Sequence, residues 1–125
     1  TAIRMAQSAP PELRAGDAVD DLAAAVADVA ETGHPVVTTS WALSYLAVER
    51  QREFVQRLDR IGGDTDISWV AAESPAQTPG LPIPHTPEIA ELTVLSLTRW
   101  RGGRRTVQRL ATAHPHGYWL HWAPG

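Results

Sequence analysis

The sequence predicts an α/β domain built on a mixed sheet, in which one parallel strand-helix-strand unit is followed by antiparallel strands. Three observations carry this. The β-branched run Val36-Val37-Thr38-Thr39-Ser40 leads through a helix-periodic stretch into a second such run, Ile67 to Ala72. A strand, helix and strand of these lengths make a right-handed crossover whose two strands lie parallel. Beyond Leu92 the pattern changes to long β-rich runs joined across Gly102-Gly103, which signals a hairpin. Between the halves, five of the ten prolines fall from Pro75 to Pro87, where no regular element is expected.

At 125 residues the chain is read as a single domain, 1–125, long enough to bury roughly 65–70% of the surface of its unfolded form. Its 43% hydrophobic and 20% charged residues are ordinary for a globular protein. No apolar run approaches the ~20 residues of a membrane span, and no charged-then-apolar leader is present, so the expected compartment is the cytoplasm. Without cysteine, disulfides, thiolate nucleophiles and cysteine-ligated zinc are excluded. All eleven basic residues are arginine, a codon bias of G+C-rich genomes. Charge is uneven: residues 92–125 carry five arginines and none of the fourteen acids.

Taken in order, residues 1–16 read as a helix tail and linker. Ala2 to Ala6 has helical spacing that Pro10-Pro11 ends, and a chain starting inside a helix is expected to be the C-terminal fragment of a longer protein. Residues 17–73 hold the helix-strand-helix-strand unit. Asp17 is the expected N-cap, Val19, Leu22, Val26 and Val29 the apolar stripe, and Gly33 a left-handed stop. After Val36–Ser40, Trp41 to Leu46 leaves the strand as a loop. The next helix spans Val48 to Ile61 and buries Phe54, Val55, Leu58 and Ile61. Glu49/Arg52 and Glu53/Arg57 are its exposed pairs, and Gly62-Gly63 its stop. Residues 74–90 form the proline-rich loop. Within 91–125, Leu92–Trp100, Arg104–Ala113 and Tyr118–Trp122 are the antiparallel strands, the last two separated by the turn His114-Pro115-His116-Gly117.

This order resembles the carboxyl-terminal half of class I methyltransferase-like Rossmann folds. Ser40, Tyr45-Leu46, Glu73, Trp100, Gly102-Gly103, Leu110-Ala111, His116-Gly117, Trp119 and Trp122 together resemble a family of uncharacterised proteins, known only as a domain of unknown function, common in high-G+C Gram-positive bacteria. The resemblance spans essentially the whole chain and implies that its relatives are longer. Thr39 stands where a histidine is expected. The glycine-rich loop that would seat S-adenosylmethionine has no counterpart, so that cofactor requires an additional segment and none is expected for these residues alone.

In open α/β sheets ligands bind beyond the carboxyl ends of the strands. Ser40, Trp41 and Tyr45 after the first strand and Glu73 after the second are therefore the ligand-binding candidates, weighed against a purely structural role for each. His116 joins them as a possible acid or base without an identified partner. His114, His116 and His121 suggest turn chemistry rather than a metal, so no metal is expected. Arg99, Arg101, Arg104, Arg105 and Arg109 interleave with Trp100, but an acidic chain makes a nucleic-acid partner the weaker reading. Trp100, Trp119 and Trp122 are expected to cover one side of the antiparallel sheet.

The functional expectation is a small-molecule-binding or catalytically incomplete methyltransferase-like domain, inactive as these 125 residues alone. An S-adenosylmethionine-dependent methyltransferase completed by an N-terminal half and a self-associating structural module are the alternatives. The partner would be that N-terminal portion, or a second copy meeting the exposed sheet edge expected at Val36–Ser40.

Overall fold

A computed structural model of the protein describes residues Thr1–Gly125. In chain order it contains α1 (Ala2–Ser8), α2 (Leu22–Ala30), β1 (Val36–Ser40), α3 (Val48–Asp64), β2 (Ile67–Glu73), β3 (Thr93–Arg101), β4 (Arg104–Ala113) and β5 (Leu120–Trp122). The strands form one five-stranded sheet in the order β1-β2-β3-β4-β5. β1 and β2 are parallel, and every later pairing is antiparallel. The predicted mixed α/β sheet is therefore the observed one, with β1 at its edge.

Side chains of a strand alternate between faces, and here the alternation separates two environments. Ile67, Trp69, Ala71 and Glu73 of β2 share one face with Trp100, Thr98, Ser96 and Val94 of β3, their register partners. This face is covered by Val19, Leu22 and Val26 of the α2 region and by Phe54, Val55 and Leu58 of α3. Phe54 meets Trp69 edge-on, with ring centroids 5.4 Å apart and planes at 68°, the geometry that aromatic quadrupoles favour. Each large side chain buried here contributes about 1.5–3 kcal/mol. No helix packs on the opposite face, where Val36, Leu120 and Trp122 are exposed.

Several expected boundaries move for identifiable reasons. α3 passes through Gly62-Gly63 to Asp64. The pair does not stop the helix: a Cβ at Gly62 would lie 2.2 Å from Cγ of Trp100, so the glycine serves the close approach of helix to sheet. Asp17 does not cap α2 directly; its Oδ1 accepts the amides of Val19 and Asp20, each at 2.8 Å, and the helix begins after that turn. Val29 is half exposed rather than buried. Gly33 is not left-handed, since the positive-φ glycines are Gly102, Gly103 and Gly117. α2 instead closes with the Thr32 and Gly33 amides donating to Val29 O at 3.0 and 3.2 Å. β3 starts at Thr93 rather than Leu92 and β5 at Leu120 rather than Tyr118. α1 forms but buries nothing.

Arg50 and Arg57 fasten α3 to the lead-in of α2. Arg50 pairs with Asp17 at 2.8 Å and Glu53 at 2.7 Å, and Arg57 with Glu53 at 2.8 Å and Asp20 at 3.2 Å. Arg57 and then Arg50 hold the Glu53 carboxyl below its ordinary range. The predicted Glu53/Arg57 pair thus forms; Glu49 and Arg52 make no ion pair.

The proline-rich connection between β2 and β3 holds no strand or α-helix but is packed against the fold. Pro87–Ile89 makes a 3-10 turn, and Thr78, Leu81 and Ile83 are buried. Its ends are tied where the Ala76 amide donates to Ala90 O at 2.9 Å and the Ser74 hydroxyl to the same oxygen at 3.2 Å. Proline suits this segment because each turn fixes φ without an amide to satisfy. Trp100 is also relocated: it lies on the helix face at 2% exposure, while Trp119 and Trp122 are exposed.

Candidate functional site

β1 ends at Ser40, and its direction changes at Trp41. The Trp41 amide still extends the ladder, donating to Ala72 O at 3.0 Å, but its φ is +48°, the left-handed region that bulky residues avoid. Such strain costs on the order of 1–3 kcal/mol and persists only where surrounding contacts impose it. The imposing contact is the indole, whose Nε1–H donates to the Thr93 hydroxyl of β3 at 2.7 Å. Trp41 thereby bridges β1 to β3 across the carboxyl end of β2.

The reversal aims the next two amides at Glu73, the last residue of β2. Ala42 and Leu43 donate to its Oε1 at 3.3 and 3.4 Å, long for hydrogen bonds of this type. Oε2 has no partner, although Glu73 has no exposed surface. Burial pushes the carboxyl pKa up; the Ala42 and Leu43 amides and the Thr39 hydroxyl oppose this but do not cancel it. The Thr39 hydroxyl also accepts the Trp69 indole N–H at 3.0 Å. Ser96 Oγ is a second buried polar atom without a partner. Because Glu73 is in register with Val94 and Ala71 with Ser96, the two orphans are diagonal neighbours on the same face, about 7–8 Å apart at the backbone. Ala71 between them has the smallest side chain available.

Gln51 locks the loop over this carboxylate. Buried on α3, it donates through Nε2 to Leu43 O at 3.2 Å, Leu46 O at 3.1 Å and Gln77 O at 3.4 Å, while its Oε1 accepts the Gly80 amide at 2.9 Å. One carboxamide thus joins the loop after β1 to the proline-rich connection. Sequence reasoning missed it, although Gln51 precedes Phe54, Val55 and Leu58 by the three, four and seven residues that define one helix face. A polar side chain on that stripe was the available signal.

The predicted site residues separate into two groups. Trp41 and Glu73 both lie at the carboxyl end of the parallel pair, linked through the Ala42 and Leu43 amides that follow Trp41 and donate to Glu73 Oε1, and Ser40 there is exposed. Tyr45 is 89% exposed. His116 lies in the turn after β4, at the same end of the sheet, with its amide donating to His114 Nδ1 at 3.0 Å. Its ring stands 5.6 Å from His114 and 6.4 Å from Tyr118, in an aromatic group separate from Glu73. The two main clefts are elsewhere. One of about 340 Å³ lies between α3 and Gly80–Pro82, and the other, about 490 Å³, is at the hairpin.

A buried, partly unsatisfied carboxyl at the end of a parallel pair defines an α/β domain with a closed polar site. The chain belongs to the family described as "Uncharacterized protein conserved in bacteria (DUF2332)", which matches residues 1–122. No curated protein and no solved structure matches it. No helix is long and apolar enough to cross a membrane.

Proposed function

We propose that this domain binds a small polar molecule at the carboxyl ends of β1 and β2, with Glu73 as its anchor and the loop 41–46 as its cover. The observation carrying this reading is Glu73 Oε2, fully buried without a partner. A buried acceptor left unmade costs about 1–3 kcal/mol, a penalty that a ligand donor reaching it would remove. Burial also raises the carboxyl pKa above its ordinary value, the direction expected of a group that exchanges a proton with a ligand. The strained Trp41 is the hinge on which the cover would open, since relaxing its φ moves the Ala42 and Leu43 amides off Oε1.

The methyltransferase-like reading stands as the finer proposal, with S-adenosylmethionine bound only when an additional segment supplies a glycine-rich loop. Titration with S-adenosylmethionine and its demethylated product, followed by tryptophan fluorescence, tests it. A saturable change that Glu73→Gln removes supports a ligand at this site. No change up to millimolar concentration counts against any cofactor beside Trp41.

A second reading concerns the β1 edge. Val36 to Ser40 carries no charge, proline or bulge, the devices by which exposed edges avoid pairing, and Val36 is 53% exposed. We propose that another strand pairs there, from an N-terminal portion of the same polypeptide or from a second copy. Light scattering of these 125 residues distinguishes the two: a dimer supports the second copy, and a monomer removes it.

A further inference from the structure

The hairpin arginines, which look alike in sequence, are sorted by strand alternation. Arg105 is in register with Trp100 and Arg109 with Ser96, on the helix face. Arg105 there pairs with Asp59 at 3.0 Å, and Trp100 Nε1–H donates to the same carboxylate at 2.9 Å. Arg99, Arg101 and Arg104 fall on the opposite face. With Thr106 and Gly102 they line the cleft of about 490 Å³.

None of these three takes part in an ion pair; the arginines that do are Arg14, Arg50, Arg57 and Arg105. Asp66, whose Oδ1 accepts the Gly102 amide at 2.9 Å, forms an ion pair with none of them. Arg101 is directly opposite Arg104, and Arg99 opposite Thr106. Like charges placed directly across a ladder destabilise it. The hairpin enforces that placement, because Gly102 and Gly103 have φ of +55° and +74°, the two-residue turn that closes strands in tight register. That the residues are arginine carries no weight in a chain without lysine. Their placement does: Arg99 and Arg101 stand on β3, between β2 and β4, so the use of charge to protect an edge strand does not account for them.

We propose that Arg99, Arg101 and Arg104 form a binding site for a compact di- or triphosphate group, with the Thr106 hydroxyl as an additional donor. Planar guanidinium forks match phosphate oxygens in pairs of hydrogen bonds. The group spans two rungs of the ladder, about 7 Å along the strands and 5 Å across, the reach of linked phosphates rather than of an extended strand. Three cations would also give nucleic acid a salt dependence of only about −2 to −3 in log-log slope, on a chain of net charge −3. The site lies on the face and at the end of the sheet opposite Glu73, so it is independent of the function proposed above.

Sodium pyrophosphate titrated into the ¹⁵N-labelled chain, at constant ionic strength with sodium sulfate as the comparison, is the test. The amides of Arg99 to Thr106 should shift and saturate with pyrophosphate at lower concentration than with sulfate. Affinity should weaken about tenfold for each arginine replaced in Arg101→Gln and Arg101→Gln/Arg104→Gln. Both positions are exposed, and their replacement relieves like-charge repulsion, so a melting temperature at or above that of the wild type will show that the variants remain folded. Absence of saturable shifts overturns the proposal, as does equal affinity in the double variant. Saturation by a single-stranded RNA oligonucleotide but not by pyrophosphate overturns it too, in favour of nucleic acid.

Discussion

Gly62 of α3 lies directly against the Trp100 indole of β3, so close that a Cβ on the glycine would stand 2.2 Å from Cγ. The contact sets the spacing between helix and sheet. It also explains why Gly62 stands inside a helix, where glycine costs about 0.5–1 kcal/mol relative to alanine.

The two glycines therefore predict opposite outcomes. Gly62→Ala must displace a ring fixed by its hydrogen bond to Asp59, and should destabilise by about 1–3 kcal/mol, the usual cost of overpacking. Gly63→Ala meets nothing within 4 Å and should stabilise by about 0.5–1 kcal/mol. Urea denaturation of both variants checks the contrast, and equal signs would refute this account of the pair.

Gln51 gives a sharper prediction about charge. Gln51→Ala removes four hydrogen bonds and leaves the Leu43, Leu46 and Gln77 carbonyls and the Gly80 amide without their partner, costing about 2–4 kcal/mol. Gln51→Glu is similar in shape but replaces the donor facing three carbonyls with an acceptor. At neutral pH it should be less stable than wild type, and it should recover as acid protonates the new carboxyl. Thermal melts across pH 4 to 8, taken as about the carboxyl titration range, measure this recovery.

Glu73 should make stability fall as pH rises. Its folded pKa is raised, chiefly by burial, so between the unfolded and folded values the native state binds more protons than the unfolded one. Its contribution is complete below the unfolded value and is lost as pH climbs through the folded value. Asp17 and Glu53 have lowered values and act in the opposite direction, weakening the fold in acid. The difference between wild type and Glu73→Gln cancels their effect. The variant should gain on wild type as pH rises from about 4 toward 7; a difference independent of pH would mean that Glu73 is not perturbed.

Trp41 and Thr93 should couple. Trp41→Phe or Thr93→Val alone loses the hydrogen bond and should cost about 1 kcal/mol, whereas the double variant should cost less than the sum, because neither partner is left orphaned. Additive costs would show that the bond does not hold Trp41 in its left-handed conformation.

The sequence alone determined the order and type of the elements. Apolar residues at period two and period 3.6 are local properties, and β1 from Val36 to Ser40 and β4 from Arg104 to Ala113 fall where those periods place them. The parallel pairing of β1 with β2 also follows, because an intervening helix allows little else. Glu73 was legible as a residue at a strand end. Its burial, its orphan oxygen and the Gln51 lock were not, since each depends on residues about thirty positions apart brought together by the sheet. Only the tertiary structure decided that Gly62 marks a close approach and that neither Gly62 nor Gly63 is a stop: a missing side chain reads the same in sequence whether the space is filled by solvent or by Trp100. Only register divided the five hairpin arginines, because one strand carries both faces and nothing in a linear chain says which face the helices cover.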